Sequence, residues 1–416
     1  MKRRLLPILM TLVLVCALPI WAAFVTSGDV TNPLVCTAGA AELNLQGMID
    51  RANAGDTIKL SSNTEIAATL QITKNLTLDL NGCVLRMRGT GSVLKVSDRA
   101  TLTITDSSAA KSGTITGGNA EDGGGVYVEA HATLEMTGGC ITGCRAEDGG
   151  GVYIDNNATL KMTGGCITDC HASYGGGGIY SYENLYMGGT AKIEKCTSKW
   201  GSDDAIWNRE RCNIYADGGT VDGTVNNQGT IRRSEGAAAE TVFNGTVYNR
   251  SAGTIIAGIY NETVENNGTI TGGTFWGTVT NKKSAWGNEA GTISGGTFAV
   301  RFDTGDGTKP EPTPVEHNRT VLRPTSDPEK SGHTFVGWYL GDALYDFNTP
   351  VTAPLTLTAR WEEVPSSGGN YYYHPTTDTK ADDTKGSPKT ADPGVALYGA
   401  LALLSLTGLT CTAKKR

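Results

Sequence analysis

The sequence predicts an all-β fold in which short strands are stacked in successive coils. The first observation is a repeat: residues 120–145, AEDGGGVYVEAHATLEMTGGCITGCR, precede residues 146–171, AEDGGGVYIDNNATLKMTGGCITDCH, with 19 of 26 positions identical. The second is alternation of apolar and polar residues in short segments between turn residues. The third is composition, since 55 of 416 residues are Gly and Thr, Asn and Val dominate the middle.

The N-terminal end predicts export. Residues 1–23 contain a basic patch, an apolar run and small residues, which is the pattern of a secretory signal peptide. Residues 24–55 form an N-terminal segment, in which Leu45, Met48 and Ile49 fall at helical spacing before Gly55. We expect a short amphipathic helix there, capping the strands that follow.

Residues 56–299 predict the stacked coils. In each 26-residue unit GVYV is one strand, ATLEMT a second and CITG a third, with Gly, Asn and Asp at the corners. Alternation places Val126, Leu134 and Ile141 on one side, and Tyr127 and Cys140 on the other. One coil cannot bury its apolar side alone, so the coils must stack at about 4.8 Å, the usual strand spacing.

The text KNLTLDLNGCVL, SVLKVSDRATLTITDSS and GTITGG resembles the parallel β-helix regions of bacterial surface proteins, over roughly residues 40–300. The resemblance implies a pectate-lyase-like, right-handed parallel β-helix. From residue 219 the shorter units GTVNNQGTI and NETVENNGTI predict thinner coils of the same helix.

Residues 300–361 follow a different pattern. VRFDTGDG, PEKSGHTF, GWY, DFNTPVT and a closing ARW occur in order, and they resemble the Listeria–Bacteroides repeat, the internalin-type B repeat. The resemblance implies a small β-grasp-like module that acts as a surface spacer or adhesive unit. We expect its core to contain Phe302, Phe335, Trp338 and Trp361.

The C-terminal end predicts a linker and an anchor. Residues 362–386 have the Ser, Gly, Pro and Thr content of a flexible linker. Residues 387–416 resemble a Gram-positive cell-wall sorting signal, with SPKTAD, an apolar segment over 395–413 that is long enough to cross a membrane, and a basic tail. The resemblance implies that a sortase cuts between Thr390 and Ala391 and joins the chain to peptidoglycan. A plain membrane anchor is the alternative.

Three tyrosines form the first candidate site. Tyr127, Tyr153 and Tyr180 are outward residues at equivalent positions of successive coils. Stacked rings could form a platform for sugar rings, or a ladder that only stiffens the coils.

Repeated acids form the second candidate. Glu121 and Asp122 recur as Glu147 and Asp148, just before three glycines. Converging carboxylates could bind calcium or serve a lyase, but residues of these types before Gly are also typical of turns. We interpret them as turn residues.

The cysteines predict disulfides, because an exported chain can keep them. Cys140 lies one coil from Cys166, within disulfide reach; pairing within each coil, with Cys196–Cys212 and Cys36–Cys83, is the alternative, and a zinc site is a weaker third. The eight cysteines between the two terminal segments are Cys36, Cys83, Cys140, Cys144, Cys166, Cys170, Cys196 and Cys212.

The functional expectation is a non-catalytic cell-surface protein, an adhesin or glycan-contacting display protein. No catalytic residue, cofactor or metal ligand is assigned, since none of the five histidines lies in a hydrolase or metalloprotease motif. The net charge of -7 gives no reason to expect nucleic acid. Host or dietary glycans, or host surface proteins, are the expected ligands. The alternative is a surface-anchored polysaccharide lyase or glycoside hydrolase on the same fold.

Overall fold

The computed structural model describes residues 34–36 (backbone only), 44–199, 204–283, 290–308 and 310–364. The chain divides into two units, Met1–Val364 and Pro365–Arg416, and the described residues belong to the first. The predicted signal peptide, most of the linker and the sorting signal with Thr390, Ala391 and residues 395–413 lie outside the described residues. Within the described ranges, no helix is long and apolar enough to cross a membrane.

The fold is all-β, as the sequence predicts, with one short helix among the described residues. Strands of neighbouring coils pair in parallel through the whole stack, which is the architecture of a parallel β-helix. The helix is α1 (Leu45–Arg51). The strands of the stack are β1 (Leu34–Cys36), β2 (Thr57–Leu60), β3 (Thr64–Ile66), β4 (Leu70–Ile72), β5 (Leu76–Asp79), β6 (Val84–Met87), β7 (Leu94–Val96), β8 (Thr101–Thr105), β9 (Thr114–Thr116), β10 (Val126–Val128), β11 (Thr133–Met136), β12 (Cys140–Thr142), β13 (Arg145–Asp148), β14 (Val152–Ile154), β15 (Thr159–Met162), β16 (Cys166–Thr168), β17 (His171–Gly175), β18 (Ile179–Ser181), β19 (Asn184–Glu194), β20 (Thr197–Ser198), β21 (Asp204–Asn208), β22 (Asn213–Asp222), β23 (Thr224–Asn227), β24 (Thr230–Arg232), β25 (Val242–Phe243), β26 (Val247–Asn249), β27 (Thr254–Ile255), β28 (Ile259–Tyr260), β29 (Val264–Asn266), β30 (Thr269–Ile270), β31 (Thr274–Phe275), β32 (Val279–Asn281) and β33 (Thr292–Ile293). The remaining strands are β34 (Thr297–Asp303), β35 (Thr313–Glu316), β36 (His333–Leu340), β37 (Ala343–Leu344) and β38 (Leu355–Glu363).

One side of the stack is a ten-stranded sheet, whose outer surface we call the column face. Its strands follow the order β4-β7-β10-β14-β18-β21-β23-β26-β29-β32. Val126 pairs with Val152, and Tyr127 pairs with Tyr153, so equivalent residues of successive coils lie directly beside one another. Any side chain repeated at the middle of these strands therefore forms a continuous row along the stack.

The core is the apolar side of the alternating strands, as expected. Val126, Leu134, Met136 and Ile141 are fully buried, and their counterparts in the next coil are buried as well. Each such side chain contributes about 1.5–3 kcal/mol on burial. Because a strand shifted by one residue would expose this row and bury the polar one, the core also fixes the register.

The coils become shorter toward the C-terminal end of the stack, as predicted. Equivalent core positions are 26 residues apart from Val126 to Val152 but 15 apart from Val264 to Val279. The smaller coils are filled by a row of buried rings with centroids 5.0, 4.9 and 5.5 Å apart. This row consists of Phe243, Tyr260, Phe275 and Phe298.

The C-terminal half of the stack also contains a buried asparagine ladder, which the sequence did not predict. In each rung the Nδ2 of one Asn donates to the Oδ1 of the Asn in the next coil, at 2.8 Å. The first four members are fully buried and the fifth is exposed. Each rung between two buried members satisfies a donor and an acceptor that water cannot reach. The members are Asn208, Asn227, Asn249, Asn266 and Asn281.

The short helix α1 lies against β4, the first strand of the column face. Asn44 caps α1 by accepting a hydrogen bond from the Gly47 N–H at 2.9 Å. The Gln46 side chain accepts from the Gln71 N–H at 2.8 Å and donates to the Gln71 carbonyl at 3.2 Å. One side chain thereby satisfies backbone groups of a strand that, among the described residues, has no neighbouring strand on that side.

A three-stranded parallel sheet stands beside the column face, where the sequence predicted turns. It consists of β13, β17 and β20, paired through Arg145–His171–Thr197. Glu147 and Asp148 are therefore strand residues, and their interpretation as turn residues was wrong. These residues form strands because the corresponding corners of three successive coils are extended and similar in length, so that they can pair with one another.

The C-terminal strands form a module continuous with the stack. β34 pairs in parallel with β31 through Phe298 and Phe275, and farther along with β38 through Phe302 and Leu357. β35 covers the other side of β34 in antiparallel pairing. As predicted, Phe302, Phe335, Trp338 and Trp361 pack together, with Phe302 and Trp338 centroids 4.9 Å apart.

Candidate functional site

The column face carries four consecutive aromatic side chains. Ring centroids of Tyr127 and Tyr153 lie 5.4 Å apart, those of Tyr153 and Tyr180 lie 5.8 Å apart, and those of Tyr180 and Trp207 lie 6.2 Å apart. The last two pairs are stacked within 6° and 9° of parallel. We call this row, Tyr127–Tyr153–Tyr180–Trp207, the aromatic column. The structure thus brings together the three tyrosines that the sequence singled out.

Trp207 is the member that sequence reasoning missed. It pairs with Tyr180 in the next coil, and its ring lies against Gly175, where a Cβ would approach Cε3 to 2.7 Å. The signal was present, since Ile206 aligns with Ile179 as a core residue and the next residue must then point outward. It was hidden because residues 199–204 lack the triple Gly that marks the earlier coils.

The four rings are not equally accessible. Tyr127, Tyr153 and Trp207 are partly exposed, whereas Tyr180 is only 6% exposed. Arg209 donates to the Tyr180 hydroxyl at 2.9 Å, and its guanidinium lies 4.8 Å from the Tyr182 ring centroid. Tyr180 therefore supports its neighbours, while Tyr127, Tyr153 and Trp207 present ring surface to solvent.

An open cavity of about 610 Å³ lies at the Tyr127 end of the column, with Lys95, Glu121, Asp122 and Tyr127 among the residues that line it. Asp148 is the neighbour of Asp122 in the next coil, joined to it by a parallel bridge. The repeated acids therefore flank the column, and Asp122 lies in the wall of the cavity.

Burial and charge raise the pKa of both aspartates. Partial burial raises the pKa of Asp122 to about 6, and the charges of Asp148, Glu121, Asp155 and Glu147 add to the effect. Burial also raises the pKa of Asp148, against the opposing influence of the Gly175 N–H and Arg209. The carboxylates repel one another, so folding favours the protonated form of Asp122.

Replacing Asp122 with asparagine is expected to stabilise the fold above about pH 6, by about 1 kcal/mol after allowance for solvent screening. The folded-state pKa of Asp122 lies above its usual value of 3.8. Its ionisation therefore costs stability as pH rises from about 4 to 6. We expect the advantage of Asp122→Asn to disappear below about pH 4, measured by urea unfolding at both pH values.

Asp106→Asn is the control of opposite sign. The Asp106 carboxylate accepts backbone N–H bonds from Gly82, Ser108 and Gly113 at 2.8, 3.0 and 2.6 Å. These bonds hold the pKa of Asp106 below its usual value despite the opposing effect of burial. Asp106→Asn should destabilise the protein at neutral pH, with the difference shrinking as pH falls. A uniform effect of both variants at all pH values would contradict the assignment.

The cysteines divide between two environments. Cys140 and Cys166 face outward and form a disulfide between neighbouring coils, with Cα atoms 4.5 Å apart. Cys144, Cys170 and Cys196 are buried free thiols stacked in the core, where Cys170 Sγ donates to the Ile141 carbonyl. Pairing of Cys140 with Cys144, and of Cys166 with Cys170, is therefore wrong, because a corner with positive φ at Gly143 or Asp169 separates the outward member of each pair from the buried one.

The remaining cysteines are free or outside the described side chains. Cys83 and Cys212 are both free thiols, so the pairs Cys36–Cys83 and Cys196–Cys212 are not formed. Burial raises the pKa of the Cys212 thiol to about 11. Within the described ranges, no group of three or more His, Cys, Asp or Glu is placed to hold a metal ion.

Comparison with known proteins identifies the C-terminal module. Residues 298–360 match the Listeria-Bacteroides repeat domain, and this match begins inside β34. A protein of Evansella cellulosilytica named as a Gly-rich membrane protein is 35% identical over 69 residues, which are 16% of this chain and 8% of that protein. A second membrane protein of the same organism is 38% identical over 69 residues, 16% of this chain and 10% of its own length. The chain thus spans a tenth or less of the curated relatives it matches.

Proposed function

We propose that this chain is a non-catalytic surface protein that binds extended glycans along the column face. The observation that carries the proposal is the aromatic column, in which Tyr127, Tyr153 and Trp207 present ring surface on a rigid parallel sheet. Sugar rings have apolar faces that pack on aromatic rings, and a rigid row needs little ordering on binding.

The surface location rests on several independent features. The predicted signal peptide and sorting signal at the two ends imply export and attachment to a Gram-positive cell wall, by cleavage between Thr390 and Ala391 or through a plain membrane anchor. The match to the Listeria-Bacteroides repeat domain and the two relatives named as membrane proteins agree with this location. In this proposal the sortase and peptidoglycan are partners during anchoring, and host or dietary glycans are partners afterwards.

A glycan array probed with the full chain tests the proposal. We expect binding to a subset of polysaccharides, and we expect Tyr153→Ala to weaken it about tenfold, equivalent to about 1.4 kcal/mol. Tyr186→Ala is the matched control, since Tyr186 stacks on Tyr215 at 4.2 Å on the outside of the other sheet. Equal losses in both variants, or no bound glycan, would overturn the proposal and leave the column as a stiffening ladder.

A surface-anchored polysaccharide lyase or glycoside hydrolase is the second candidate. The observation that favours it is Asp122, whose pKa of about 6 and place in the cavity wall suit a general acid. Incubation of bound polysaccharides with the full chain distinguishes the two. New reducing ends or unsaturated products that disappear in Asp122→Asn would support the enzyme.

A further inference from the structure

The charge around the aromatic column is not uniform. Glu121 and Asp122 line the cavity beside Tyr127, and Glu147 and Asp148 follow one coil later. Asp155 accepts a hydrogen bond from the Tyr127 hydroxyl at 3.2 Å. The exposed ring surface at this end of the column is therefore bordered by five carboxylates.

Two cations beside the column, Lys95 and Arg209, are engaged with other groups. Lys95 pairs with Glu129 at 3.1 Å and lies 5.3 Å from the Tyr127 ring centroid. Arg209 is held by the Tyr180 hydroxyl and the Tyr182 ring. Glu121 and Asp122 in the cavity wall, Asp148 beside Asp122, and Asp155 on the Tyr127 hydroxyl give this part of the face a net negative field, and their charges also raise the pKa of Asp122.

Aromatic rings beside carboxylates attract ammonium groups for two separate reasons. The ring face carries a negative quadrupole that favours a cation above it, and the carboxylates add direct Coulomb attraction. Lys95 already occupies such a position over Tyr127, which shows that the ring accepts an ammonium group. The same field repels polyanionic sugars such as uronic acid polymers.

We propose that the Tyr127–Tyr153 end of the column face selects glycans that carry free amino groups, that is, polymers of deacetylated amino sugars. The inference rests on the proposed glycan function and adds the ligand class. The aromatic rings bind the sugar faces, and Glu121, Asp122, Glu147 and Asp148 bind the ammonium groups. A neutral sugar chain would gain only the first of these interactions.

Calorimetry with three hexasaccharides tests the inference: a glucosamine hexamer, its fully N-acetylated form and a galacturonic acid hexamer. We expect the full chain to bind the glucosamine hexamer about tenfold more tightly than the N-acetylated one, and the galacturonic acid hexamer most weakly. The preference should shrink with added salt, because the charges are near the surface.

Glu121→Gln combined with Glu147→Gln should remove most of this preference by lowering the affinity for the glucosamine hexamer. Both side chains are exposed, so the fold is expected to tolerate the change. Glu262→Gln is the control, since Glu262 is also exposed but lies in the corner between β28 and β29, in the C-terminal coils.

Two outcomes would overturn the inference and leave the proposed function intact. One is equal affinity for the glucosamine and N-acetylated hexamers, and the other is a preference that survives in the double variant. Binding of poly-lysine provides a third test of the inference. If poly-lysine binds as tightly as the glucosamine hexamer, and Tyr153→Ala weakens the binding of neither ligand, the face is a general cation-binding surface and the inference is overturned. Failure of all three hexamers together with a blank glycan array would overturn both proposals.

Discussion

Asn249→Leu is expected to lower the free energy of unfolding by about 3 kcal/mol. The Asn249 side chain accepts from Asn227 Nδ2 and donates to Asn266 Oδ1, both at 2.8 Å, and all three residues are fully buried. Leucine has a similar size but leaves a donor in one coil and an acceptor in the next without this partner. Each such buried group costs about 1–3 kcal/mol. Urea unfolding followed by circular dichroism measures the loss.

Asn261→Leu provides the matched control. Asn261 donates to Asn244 Oδ1 at 2.7 Å in an equivalent arrangement between neighbouring coils, but both residues are exposed. Water replaces the lost hydrogen bond there, so we expect a change within about 0.5 kcal/mol. Similar losses in the two variants would mean that the buried ladder has no special contribution.

Gly150→Ala is expected to destabilise the protein by about 2–3 kcal/mol through overpacking. Gly150 lies in the triple Gly that precedes β14, and an added Cβ would lie 2.4 Å from the His171 carbonyl oxygen and 2.6 Å from that of Gly177. Both oxygens belong to the next coil, so the methyl group could be accommodated only by separating the coils. Thermal unfolding and hydrogen exchange at β14 and β18 measure the effect.

Gly188→Ala distinguishes lack of space from the general effect of replacing Gly in this fold. At Gly188 the nearest atoms to an added Cβ are 3.8 Å away. We expect Gly188→Ala to be neutral or to stabilise by up to about 0.5 kcal/mol, since alanine restricts the unfolded chain. A loss at Gly188 as large as that at Gly150 would contradict the packing explanation.

The alternation of apolar residues was enough to predict the stack and its core. Val126, Leu134 and Ile141 recur at fixed spacing, and only inward stacking can bury them. The column was partly predictable for the same reason, because Tyr127 and Tyr153 occupy identical places in nearly identical text. Predicting Trp207 would have required the strand register of its coil, and the corner sequence of that coil differs from those of the earlier coils.

The asparagine ladder and the third sheet could not be predicted from local pattern. Asn227 and Asn249 each lie two residues after a valine and shortly before a glycine, so each is typical of a corner when considered alone. Their burial depends on the Asn of the neighbouring coil, which supplies the missing hydrogen bond. Likewise Glu147 and Asp148 become strand residues only because His171–Gly175 lies beside them.

The strand that joins the coils to the module has a mechanical consequence. β34 enters from the stack, and β38 leads out toward residue 364, with the two strands parallel over Val300–Asp303 and Leu355–Thr358. If the coils are held by a ligand and force is applied at the C-terminal end, the force acts along the length of these two strands. Their hydrogen bonds would then be sheared together rather than opened one at a time. The module would thus resist unfolding most strongly when the force is applied through the C-terminal end of the chain.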